Sequence, residues 1–94
     1  MKFYCVNAEF YDNFDEDNQV LFTEVKACIT TSQKKEKPKN QFRKYYGMVA
    51  FKLWLESESN ANLLLEKIKS GVFGVNQLAF YYNDCLNQKG KVAA

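Results

Sequence analysis

The most suggestive chemical spacing lies in the twelve residues NFDEDNQVLFTE, from Asn13 to Glu24. Asn13, Asp15 and Asp17 occupy positions one, three and five of that window, Val20 the apolar position eight, and Glu24 position twelve. Oxygens at those intervals wrap a calcium ion in an EF-hand loop, where a glycine at position six lets the backbone turn around the ion. Here Asn13 stands in place of the leading aspartate, Asn18 in place of the glycine, and neither flank has helical periodicity. Asp12, Asp15, Glu16 and Asp17 therefore read as the solvated tip of a hairpin, and no metal site is expected.

Other chemistries fall away quickly. The chain has no histidine, which removes Ser-His and Cys-His pairs. Cys5, Cys28 and Cys85 are widely spaced, sit in apolar runs and form no Cys-x-x-Cys. They read as small buried thiols of a reducing cytosol. There is no phosphate-binding glycine loop and no dinucleotide fingerprint. The expectation is a non-enzymatic, cofactor-free protein. No apolar run reaches transmembrane length, and FYCV near the start is too short for a signal peptide, so the expected location is cytoplasmic and off the membrane.

What, then, must the elements position? The 94 residues make a single domain, 47% hydrophobic and 16% aromatic, enough to pack a core. The clearest unit is Lys44 to Gly71. Val49, Phe51, Leu53 and Leu55 alternate with Met48, Ala50, Lys52 and Trp54, the period of a strand with one buried face. Ala61, Leu64, Leu65 and Ile68 then recur at helical spacing, with Ser57 or Ser59 to cap the start and Gly71 to end the helix. Upstream, Lys2 to Tyr11 is apolar on both sides, as in a central strand, and Gln19 to Thr31 alternates again with β-branched residues. Ser32 to Gln41 reads as a polar loop, Leu78, Phe80 and Tyr82 as a fourth strand, and residues 86–94 as a frayed tail. The expected fold is α+β: a small antiparallel sheet of about four strands, ordered β-β-β-α-β, with one helix on one face.

One helix leaves the other face open, with Tyr46, Met48, Lys52, Trp54 and Tyr81 as its candidate partner-binding residues. Charge is segregated. Six acidic residues precede Lys26 against one lysine, whereas Lys34, Lys35, Lys37, Lys39, Arg43 and Lys44 stand against Glu36 alone. Loops of opposite sign would orient a partner. These features suggest a small binding protein that docks on a protein or nucleoprotein, or on a second copy of itself, and acts by occupying a surface. Inhibitors of host machinery encoded by phages and mobile elements are commonly of this kind.

A second reading comes from a resemblance. Lys44-Tyr45-Tyr46-Gly47-Met48-Val49-Ala50-Phe51 resembles the longer ribonucleoprotein motif of RNA-recognition-motif domains, matching at Lys44, Tyr46, Gly47, Val49 and Phe51. Tyr45 replaces a glycine and Met48 an aromatic residue. Phe3 to Ala8 is similar to the shorter motif, with Tyr4 at its aromatic position and Asn7 at its asparagine. The resemblance implies that Tyr4 and Tyr46 stack on bases and that Lys44 meets a phosphate. A single-stranded nucleic-acid binder would add Trp54 as a platform and the Lys34–Lys44 segment as a clamp.

Overall fold

The computed structural model describes residues 1–79. β1 (Lys2–Phe14), β2 (Val20–Gln33), β3 (Gln41–Tyr45) and β4 (Met48–Leu55) form one antiparallel sheet in the order β2-β1-β4-β3. Helix α1 (Glu58–Lys69) packs on one face, so the architecture is the expected α+β sheet with a helix against it.

β1 is central, between β2 and β4. Its pairing with β4 sets Val6 opposite Leu53, Ala8 opposite Phe51 and Phe10 opposite Val49, which gathers one row from each strand on the same face. Ala61, Leu64 and Ile68 of α1 come down onto that row, and all are buried with it in one cluster. Removing this apolar surface from water is what holds the helix to the sheet, since a 12-residue helix is marginal alone. Leu65 is only half-buried: the stripe runs through Ala61, Leu64 and Ile68, and Leu65 sits at its rim. The helix starts where Ser57 Oγ accepts the Asn60 N–H at 3.3 Å. It ends at Gly71, φ +84°, with the Phe73 N–H donating to the Lys67 carbonyl at 2.9 Å.

Two expectations change. The segment from Lys44 to Leu55 is not one strand but the end of a hairpin: β3 reaches Tyr45, Tyr46 and Gly47 turn, and β4 starts at Met48. Gly47 at φ +74° makes that turn, and the polar stretch before it supplies the edge strand β3. The fourth strand expected around Leu78 is also replaced, because residues 75–79 are helical and Leu78 is buried in the common core. The reason is local. Gln77 Oε1 accepts the Gly74 N–H at 2.9 Å, while the Leu78 N–H donates to the Gly74 carbonyl at 3.1 Å, which together start a helix at Gly74. Phe80, Tyr82 and residues 86–94 lie outside the described residues.

Candidate partner-binding face

The face away from α1 carries Phe3, Cys5, Asn7, Glu9 and Tyr11 of β1, Met48, Ala50, Lys52 and Trp54 of β4, and Gln41, Arg43 and Tyr45 of β3. It is closed at one end. Phe3 and Cys5 are each 1% exposed although the helix lies on the opposite side. Trp54, opposite Cys5, is half-buried at that end, its backbone N–H donating to Asn40 Oδ1 at 2.8 Å. Burial pushes the Cys5 thiol above its ordinary pKa, with the nearby Lys52 charge opposing that shift.

Further along, the face opens into a groove of about 250 Å³ lined by Asn7, Glu9, Gln41, Arg43, Tyr45, Met48 and Lys52. An apolar floor of Met48 and Ala50 is thus bordered by one carboxylate and two cations. Tyr11 donates its hydroxyl to Glu9, which holds the phenol pKa above its usual value because the bond needs the protonated oxygen. Lys26 Nζ lies 5.4 Å from the centre of the same ring.

The structure brings together some of the residues singled out in the sequence and separates others. Met48 and Lys52 line the groove, and Trp54 shares their face. Tyr46 does not: it sits in the turn, 85% exposed, stacked on Phe14 with ring centres 5.4 Å apart. Tyr81 lies outside the described residues. Tyr4 points to the helix side, its hydroxyl 3.3 Å from Glu58 Oε2, so Tyr4 and Tyr46 do not form one stacking surface. The octapeptide of the RNA-recognition-motif resemblance is bent around a hairpin instead of lying along one strand.

The charged sets also divide. Lys34, Lys35, Lys37 and Lys39 are exposed in residues 34–40, between β2 and β3, whereas Arg43 lines the groove and Lys44, opposite Val49, takes the helix side. Asp15, Glu16 and Asp17 cluster at the other end of the β1–β2 ribbon, about 40 Å away by strand length. Asp15 Oδ1 accepts the N–H groups of Asp17 and Gln19, each at 2.8 Å, so this carboxylate closes the turn. Asp12 lies within β1 and accepts the Thr23 hydroxyl at 2.9 Å. Among the described residues, no group of three or more Cys, Asp and Glu side chains is placed to hold a metal ion.

Sequence reading missed Asn7, Glu9, Gln41, Arg43 and Tyr45 as one lining. The alternation of Gln41, Arg43 and Tyr45 was the available signal, obscured by the lysines and proline before it.

Cys28 is a correction too: it is exposed, because among the described residues β2 has a strand neighbour on one side only and α1 lies on the other face. Cys28 should therefore react rapidly with an aromatic disulfide reagent at pH 8, whereas Cys5 should react only on unfolding. Peptide mapping after brief labelling checks this, and equal labelling of the two would contradict the burial of Cys5.

No helix among the described residues is long and apolar enough to cross a membrane. Comparison with protein-family models, with curated proteins and with solved structures returns no match to this chain.

Proposed function

We propose that this is a non-enzymatic binding protein that docks a protein partner on the helix-free face of its sheet. The observation that carries the reading is the groove, where Glu9, Arg43 and Lys52 border an apolar strip of Met48, Ala50 and the Tyr45 ring. Borders of both signs suit a protein surface with its own mixed charges. A nucleic-acid backbone favours a continuous positive lining instead, and Glu9 interrupts one here. In this proposal Met48 and Lys52 make the central contact, Trp54 lies at its margin, and the lysines of residues 34–40 steer the approach. The protein acts by occupying its partner's surface, as small inhibitors encoded by phages and mobile elements do.

The test begins with capture of partners from lysate, with and without nuclease, and continues with titration of the purified partner. Capture should survive nuclease. Met48→Asp should weaken the complex about tenfold or more, and Asn62→Ala, on exposed helix surface, should leave it unchanged. Replacing Lys34, Lys35, Lys37 and Lys39 by serine should mainly slow association. Micromolar binding of a fluorescent single-stranded oligonucleotide, steeply salt-dependent and needing Tyr46, would overturn the proposal in favour of nucleic acid.

A further inference from the structure

β2 is an edge strand of 14 residues, and among the described residues only β1 pairs with it. The direction of its free backbone groups follows from the ladder. Met1 and Lys34 exchange both backbone bonds, at 3.0 and 2.9 Å, so they form a closely bonded pair. Antiparallel ladders alternate such pairs with non-bonded ones. The even-numbered residues of β2 from Ser32 to Phe22 thus bond to β1, and the odd-numbered ones from Gln33 to Thr23 turn N–H and C=O outward. The far side agrees: Asp12, opposite Thr23, donates its N–H away from β2, to the Gly47 carbonyl at 2.9 Å.

We propose that this edge pairs with β2 of a second copy of the chain, antiparallel about a two-fold axis through Val25. Val25 has outward-facing backbone groups, so the axis passes through a bonded pair, as the ladder requires. Charge selects the register. About Val25, Glu24 of each copy lies directly opposite Lys26 of the other, giving two symmetric ion pairs on the helix-free face. Centring on Glu24 or Lys26 sets like charges face to face, and centring on Thr23 or Ala27 leaves both without an opposite charge. A lysine in mid-edge ordinarily guards a strand against pairing. Here Glu24, two residues away, turns that guard into a register selector. The ladder from Phe22 to Cys28 also sets Phe22 against Cys28 of the second copy, covering Phe22 and Val25, which are 54% and 40% exposed. Apolar side chains exposed on an edge are accounted for by such pairing. The assembly is an eight-stranded sheet with both grooves on one side, and it does not depend on what the grooves bind.

Sedimentation equilibrium on the full chain, over a concentration series reaching about 1 mM, should show a reversible dimer. Glu24→Lys and Lys26→Glu should each raise the dissociation constant about tenfold or more, and the double reversal should restore the dimer. Phe22→Cys provides a readout independent of affinity. Non-bonded antiparallel pairs lie about 4.5 Å apart at Cα, within disulfide reach. With diamide as oxidant, Phe22→Cys should give a covalent dimer that is lost in Phe22→Cys/Cys28→Ser. A chain that stays monomeric throughout the series, or folded single reversals with unchanged dimer affinity, would overturn the proposal. So would a folded Phe22→Cys variant that does not crosslink through Cys28.

Discussion

Phe51→Ala is expected to cost about 3–5 kcal/mol of folding stability, the usual range for emptying a buried phenylalanine site. Phe51 is 1% exposed and ties together three strands of the sheet. It is paired with Ala8 in the central strand, meets Phe10 edge-on at 6.2 Å, and packs against Phe42 of β3 with ring centres 4.9 Å apart. Alanine would leave a cavity under both partner rings, and the five-residue strand β3 would lose an anchor. Since domains of this size have roughly 5–15 kcal/mol of total stability, the variant should be close to unfolding. A urea titration checks this through the midpoint shift at unchanged slope. The same titration separates the helix positions: Leu64→Ala, at a buried site, should cost about 2–5 kcal/mol. Half-buried Leu65 should cost clearly less, and equal costs would mean the stripe had been misplaced.

Gly47→Ala should cost about 1–2 kcal/mol from backbone conformation alone, because Gly47 sits at φ +74° where a side chain crowds the following carbonyl. The new Cβ would also lie 3.0 Å from Phe14 Cε2, tighter than most such contacts. The Phe14 ring, which stacks on Tyr46, must then give by a few tenths of an ångström. The Gly47 carbonyl accepts the Asp12 N–H at 2.9 Å, so the turn also ties the β3–β4 hairpin to the outer part of β1. Tyr46→Ala removes the stack without changing the backbone, and as an 85% exposed residue it should cost much less. Similar midpoints for the two variants would show that the glycine conformation is not the constraint.

The two predictions rest on different kinds of information. The Val49–Leu55 alternation, the helix from Glu58 to Lys69 with its Ser57 cap, and the apolar row of β1 were all legible in the sequence. Each is a short-range pattern, because the side chains that share a face are two, three or four residues apart. The hairpin turn at Tyr46 and Gly47 was harder to see. Two aromatic residues and flanking apolar ones suit a strand on either side, and only the positive φ at Gly47 divides them. The helical start at Gly74 was masked in the same way by the alternation of Leu78, Phe80 and Tyr82.

What the tertiary structure alone decided is which strands are neighbours and which are edges. Nothing local to Glu9, Arg43 and Met48 says that they share a groove, because that depends on β4 rather than β2 lying between β1 and β3. Likewise Glu24 and Lys26 are an ordinary charge alternation until β2 is placed at the edge of the sheet among the described residues. Strand order is set by burial summed over the whole core, a quantity to which distant residues contribute as much as near ones. Sequence periodicity records the faces of each element, and the packing of those faces determines which surfaces remain open.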